Sequence, residues 1–180
     1  MFSICLDLSN ISLNTRAVRH HRWKEAVDSL DRDVLLALQA DGRMSNLALA
    51  RSLDLSHSAM LGRVRRLERS GAIRGYRAII DPAVLGISVR AFVVARLREH
   101  SERSIMEFEK GIQKVPGVRA CYHVTGQFDM VVELALRDLD HLGQLIRVDI
   151  ARIPGVMNLE TMLIMAEPVA DEGWPIAPEA

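Results

Sequence analysis

Four arginines fall within seven positions, Arg63, Arg65, Arg66 and Arg69, and the small polar residues Ser56, His57 and Ser58 stand just before them. A guanidinium presents a fixed fork of N–H donors that matches phosphate oxygens and the acceptor edge of guanine, while short hydroxyl and imidazole side chains reach base edges at close range. This pattern points to polyanion recognition, not to bond making. Little in the chain suits catalysis: His100, His123 and His141 are scattered, and no Ser/His/Asp or paired-carboxylate arrangement stands out. His20 and His21 lack a third ligand at suitable spacing. Cys5 and Cys121 are too few and too far apart for a disulfide framework or a zinc site. No catalytic residue, metal or cofactor is expected.

The arginines need a helix to display them. Met60, Val64 and Leu67 recur at i, i+4 and i+7, which gives one buried stripe. Ser58, Ala59, Gly62, Arg66 and Arg69 then lie on the opposite face, with Arg63 and Arg65 on its flanks. Ser56 is suited to cap this helix, which stops at Ser70-Gly71. Before it, Ser45 caps a shorter helix that begins near Asn46 and carries Leu47, Leu49, Ala50 and Leu53. A tight turn, Asp54-Leu55-Ser56, separates the two. An earlier helix carries Leu30, Val34, Leu35 and Leu38, with Asp31 and Asp33 favoured by the helix dipole in its first turn and Gly42 suited to a left-handed end. Three short helices with such a turn between the last two make a helix-turn-helix. Its candidate DNA-binding residues are Ser45, Asn46, Ser56, His57, Ser58, Gly62, Arg63, Arg65, Arg66 and Arg69, and the expected partner is double-stranded DNA.

The 180 residues have zero net charge, but the charge is unevenly placed. Through Ile80 there are 13 Lys and Arg against 8 Asp and Glu, and from Asp81 onward 10 against 15. A basic front and an acidic back indicate two modules with different partners. At 49% hydrophobic residues the composition excludes a disordered chain. No apolar run approaches the roughly 18 residues of a membrane span. The first residues lack a basic leader. A cytoplasmic protein is expected, with no membrane partner.

The back half repeats itself. Ile105, Phe108 and Ile112 form a helical stripe that leads into Val115-Pro116-Gly117-Val118 and a strand-like run. Leu139, Leu142, Leu145, Ile146 and Ile150 lead likewise into Ile153-Pro154-Gly155-Val156 and a second run, 38 residues later. Strand candidates Ser88–Leu97 and Asp129–Leu136 precede the two helices. The order β-α-β-β-α-β predicts a ferredoxin-like sandwich, so the fold class is α+β. Two helices cover only one sheet face, and the apolar residues on the other favour a homodimer. The boundaries read as an irregular extension at 1–27, the helix-turn-helix at 28–72, an extended linker at 73–87, the ferredoxin-like domain at 88–168 and a tail at 169–180.

In order along the chain, Leu30-Asp31-Arg32-Asp33, Leu38-Gln39-Ala40-Asp41-Gly42-Arg43, Arg63-Val64-Arg65-Arg66-Leu67-Glu68, Gly71-Ala72-Ile73-Arg74-Gly75-Tyr76, Pro116-Gly117-Val118, Gly126-Gln127-Phe128-Asp129 and Pro154-Gly155-Val156 resemble the Lrp/AsnC, or feast/famine, regulators over about residues 29–169. The resemblance implies a DNA-binding transcription regulator that dimerises through its effector domain, with an octamer or other ring of dimers as the larger assembly. It also implies an amino acid or related small-molecule effector held where dimers meet. Its site would surround the turn with Thr125, Gly126, Gln127 and Asp129, with Tyr122 and His123 before it and Thr161 on the last strand. In this family the turn usually reads Gly-Asp-Phe/Tyr-Asp. Gln127 stands in place of the first Asp, which removes an acceptor and a charge. Two other readings are a sensing module without DNA binding and an enzyme like the sirohaem decarboxylases, which resemble this family in both modules. The Arg-rich helix favours DNA over both.

Overall fold

A computed structural model describes residues 27–176, so the extension expected at 1–27 lies outside the described residues except for its last position. The described chain forms two compact units. One holds the helices up to Arg77 together with the segment from Asp171, and the other holds residues 78–170.

The first unit contains α1 (Ser29–Ala40), α2 (Asn46–Ser52) and α3 (His57–Ser70). Each begins on a side-chain cap that satisfies an otherwise orphaned backbone N–H. Asp28 and Asp31 form a reciprocal capping box at α1, Ser45 accepts from Ala48 N at α2, and Ser56 accepts from Ala59 N at α3. Val34, Leu49, Ala50, Met60, Val64 and Leu67 make the small core, with Leu35, Leu38, Leu53 and Leu55 packed around it. In the α2–α3 turn, Asp54 takes the left-handed conformation, φ 53°. The third helix closes on Gly71, also left-handed. The first does not end as expected: Gly42 is not left-handed. Asp41 leaves the helix in an extended conformation and turns the chain by accepting from Arg43 N through its side chain and from Met44 N through its carbonyl.

Two further departures concern the connections. The linker is extended only in part, because Asp81 caps a 3-10 turn over Pro82–Leu85 that closes at Gly86. The final segment rejoins the first unit. The carboxamide of Gln39 donates from Nε2 to the Trp174 carbonyl at 2.8 Å and accepts from Trp174 N at 3.0 Å. Asp171 lies 3.6 Å from Arg77.

The second unit runs β1 (Val89–Leu97), α4 (Glu102–Ile112), β2 (Val118–His123), β3 (Met130–Leu136), α5 (Leu139–Leu145) extended by one π-type turn (Ile146–Ile150), and β4 (Val156–Leu163). The sheet order is β2-β3-β1-β4 and every neighbouring pair is antiparallel, the ferredoxin-like arrangement. Strand alternation decides what faces the helices. Ala91, Val93, Ala95 and Leu97 of β1 and Met130, Val132, Leu134 and Leu136 of β3 are buried against Phe108, Ile112, Leu142, Leu145 and Ile150. Leu139, counted in the apolar stripe, is instead exposed. The opposite sheet face carries Phe92, Val94, Val131, Tyr122 and Met162, beside an ion network in which Arg90 pairs with Glu133 and Glu167, and Arg119 with Glu133.

The two Pro-Gly-Val elements adopt the same left-handed glycine, φ 81° at Gly117 and 87° at Gly155, but in different surroundings. A Cβ on Gly117 would stand 2.5 Å from Leu136 Cδ2 and 3.1 Å from the Ala135 carbonyl, whereas on Gly155 its nearest neighbour is Ser104 at 3.9 Å. Gly155→Ala is therefore expected to cost about 1 kcal/mol of backbone strain. Gly117→Ala adds an overpacking cost of roughly 1–3 kcal/mol. Urea unfolding of the two variants should separate them in that order.

Candidate functional site

The third helix divides into three faces. Met60, Val64 and Leu67 are buried. Ser58, Gly62, Arg65 and Arg69 point away from them and are exposed, along a ridge spaced i, i+4, i+7, i+11. Nothing lies within 4 Å of a Cβ placed on Gly62, so the ridge has a bare gap at its middle. His57 is exposed in the first turn, and Ser56 Oγ, besides capping, lies 3.3 Å from Ser58 Oγ. Arg69 Nε donates to the Arg65 carbonyl, which holds its head along the helix. Ser45 and Asn46 sit at the start of α2, Ser45 exposed and Asn46 half-buried.

Arg63 and Arg66 occupy the third face and turn toward α1. Sequence spacing placed Arg66 outward and Arg65 on a flank. In the structure Arg65 is exposed and Arg66 is drawn onto Asp31, donating from Nη2 to both carboxylate oxygens at 2.7 Å. Arg63 Nη1 donates to Asp31 at 2.5 Å and to Asp28 at 2.7 Å. Asp31 is 1% exposed, against 21% for Arg63 and 34% for Arg66. Its burial draws both guanidiniums in, because a desolvated carboxylate without a cation is costly. Sequence reasoning missed this pair of acids. The signal was the Asp-x-x-Asp spacing opposite an Arg-x-x-Arg, but the dipole of α1 had already accounted for Asp31.

The candidate effector residues are brought together less completely. Thr125, Gly126 and Gln127 form the exposed turn between β2 and β3, with Gly126 at φ 122°. The turn is pinned to β1: Arg96 Nε donates to the Gln127 carbonyl at 3.1 Å, and Asp129 N donates to the Ala95 carbonyl at 3.0 Å. Asp129 is occupied at both oxygens, one accepting from Leu97 N at 2.7 Å and the other 2.8 Å from His100 Nδ1. It serves the turn's shape. Tyr122 pairs with Val131 and His123 with Met130, so successive alternation sends them to opposite sheet faces. Thr161 pairs with Val93 on β4, the other edge strand. Three strand spacings, about 14 Å, separate it from β2. Sequence spacing assigns no role here to Arg96 or His100; the turn's folding back onto β1 gives them one.

Burial pushes the Cys121 thiol up to about 11, which leaves it unreactive. Among the described residues no group of three His, Cys, Asp or Glu side chains could hold a metal, and no helix is long and apolar enough to cross a membrane.

Residues 27–74 match a winged helix-turn-helix DNA-binding model, and residues 90–174 match the Lrp/AsnC ligand-binding domain. The leucine-responsive regulatory protein of Escherichia coli is 36% identical over 141 residues, 78% of this chain and 86% of that protein. The chain belongs to the Lrp/AsnC family. Solved structures agree with it in fold. Escherichia coli AsnC superposes with a TM-score of 0.75 at 25% identity, over 81% of this chain and 97% of that one. A feast or famine regulatory protein from Mycobacterium tuberculosis, complexed with L-methionine, gives 0.77 at 30% identity, over 84% and 100%. A Neisseria meningitidis transcriptional regulator, also in an L-methionine complex, gives 0.76 at 25%, over 81% and 94%. As a member of the Lrp/AsnC family, the chain is a DNA-binding transcription regulator of the Lrp type, with a helix-turn-helix and a ferredoxin-like effector domain.

Asp28 makes the DNA-binding unit of this Lrp/AsnC chain acid-sensitive. The hydrogen bond from Arg63, and next that from Asp31 N, holds the Asp28 carboxyl below its ordinary value of 3.8. A carboxyl with a depressed folded pKa stabilises the fold above its unfolded value and stops doing so as the pH falls through the folded one. Its half-exposed position keeps the effect below about 1 kcal/mol. Asp28→Asn, which still caps α1, should flatten the loss of thermal stability below about pH 4. Melting curves between pH 3 and 7 test this.

Proposed function

We propose that this regulator reads DNA with the Ser58–Gly62–Arg65–Arg69 ridge of α3, and that it does so as a homodimer responsive to an amino acid. The observation that supports the reading is the separation of faces on α3: one buried in the core, one tied to α1 and one left outward. Ser56, His57 and Ser58 at the start of the helix are short enough to approach base edges, while Arg65 and Arg69 carry charge to phosphates. Ser45 and Asn46 at the start of α2 would meet the backbone beside the groove. Binding of this kind weakens steeply with salt, because each neutralised phosphate releases counterion.

The effector would be an amino acid, for which the two relatives in complex with L-methionine supply the probe. With Asp129 occupied, the groups left for a ligand are the exposed Thr125, the backbone at Gly126 and the neutral carboxamide of Gln127. A carboxamide offers both a donor and an acceptor, which suits a zwitterion. Thr161, on the last strand, would complete a site held where dimers meet. The outward sheet face supports the same partner: Tyr122 and Met162 are exposed there beside the half-buried Phe92 and Val131. A ring of such dimers, action in the cytoplasm and regulation without an enzymatic step complete the reading.

Fluorescence anisotropy with the DNA upstream of the protein's own gene, against a scrambled duplex, tests it. Specific binding that falls with salt and shifts on adding L-methionine is the expected result; equal affinity for both duplexes at every salt concentration would sink it. Gln127→Ala should abolish the methionine shift and leave DNA affinity intact. Gly62→Ala separates function from stability. It should raise helix stability by up to about 1 kcal/mol, yet lower DNA affinity by placing a methyl at the closest approach.

A further inference from the structure

Four arginines on a DNA-reading helix suggest four phosphate contacts, but two of them are already spent. Asp28 and Asp31 stand at the start of α1, Arg63 bridging both carboxylates and Arg66 gripping that of Asp31, two negative charges against two positive at distances of 2.5–2.7 Å. Asp31 is fully buried, and these two guanidiniums pair with it. Each arginine keeps other N–H groups, yet a cation already neutralised by a carboxylate releases no counterion when it meets DNA. Direct packing of α1 on α3 is sparse beside that of α2 on α3, since α1 sends only Val34 fully into the core. The ion cluster is the second attachment.

We infer that Arg63 and Arg66 act as positioning residues, which clamp the recognition helix to α1 through Asp31 and set the angle at which its ridge is presented, while Arg65 and Arg69 are its phosphate-directed cations. This rests on the DNA-reading role of α3. It replaces four equivalent contacts by two contacts and one clamp.

The test uses the full chain, with the same upstream duplex and its scrambled control, between about 50 and about 200 mM salt. Arg65→Gln and Arg69→Gln should each reduce the slope of log affinity against log salt by about one, with wild-type unfolding midpoints. The charge-neutral double variant Asp31→Asn/Arg66→Gln should leave that slope unchanged and lower the unfolding midpoint. If it fails to fold, Arg66→Lys serves, because an ammonium conserves the charge but does not span both carboxylate oxygens. At a temperature where circular dichroism shows it folded, Arg66→Lys should keep the slope, lower the midpoint and reduce the ratio of specific to scrambled affinity at least about threefold, reflecting a tilted ridge. A slope reduced by about one in the double variant at a wild-type midpoint overturns the clamp, as does an Arg66→Lys variant with unchanged midpoint and ratio. Absence of binding by the unsubstituted chain at low salt strikes the DNA-reading role instead, and the midpoints still decide the clamp.

Discussion

A carboxylate removed from water keeps its charge only if cations replace its hydration, and Asp31 is such a carboxylate. That constraint organises the helical unit. It fixes which side of α3 faces α1, and so which side is left outward. It also joins two jobs in one residue, since the carboxylate that receives the arginines also accepts the Asp28 backbone N–H in the capping box of α1. The start of α1 and the middle of α3 are thus parts of one polar cluster, laid across a core with six buried apolar residues among the described ones. A core of this size leaves helix orientation sensitive to a single strong interaction.

The effector unit is governed by a different constraint, the period of two along a strand. It places Tyr122 and His123 on opposite faces and aligns Thr161 with Val93, at the other sheet edge from the β2–β3 turn. The turn itself is held by β1: Ala95, Arg96 and Leu97 each bond to Gln127 or Asp129 through backbone or side chain. Its polar side chains are therefore of two kinds. Asp129 is internal to the turn's geometry, and Gln127 is free to meet what approaches from outside.

Both modules were legible in the sequence, because each depends on a local pattern. Serine caps before apolar stripes announced α2 and α3, and the repeated Pro-Gly-Val announced the two halves of the sandwich. The resemblance to the Lrp/AsnC regulators rested on motifs spread over both and is matched by the comparisons. What escaped was non-local. Helical spacing alone could not say that Arg66 bends toward Asp31, 35 residues away, because periodicity carries no information about the neighbouring helix. It could not show that Asp129 is already satisfied by Leu97 and His100. The end of α1 was misjudged for a local reason: a glycine after a helix suggested a left-handed cap, while the preceding Asp41 made the turn with its own side chain.

The hold of Gln39 on Trp174 also changes how the chain should be divided. The helical unit is discontinuous in sequence: its first piece ends at Arg77 and its second begins at Asp171, the two pair at 3.6 Å, and the effector unit is inserted between them. A group fused after Ala180 therefore follows a segment that is held to the helical unit at Trp174. A reporter placed there would register what happens at the helices, and a bulky tag there would burden them.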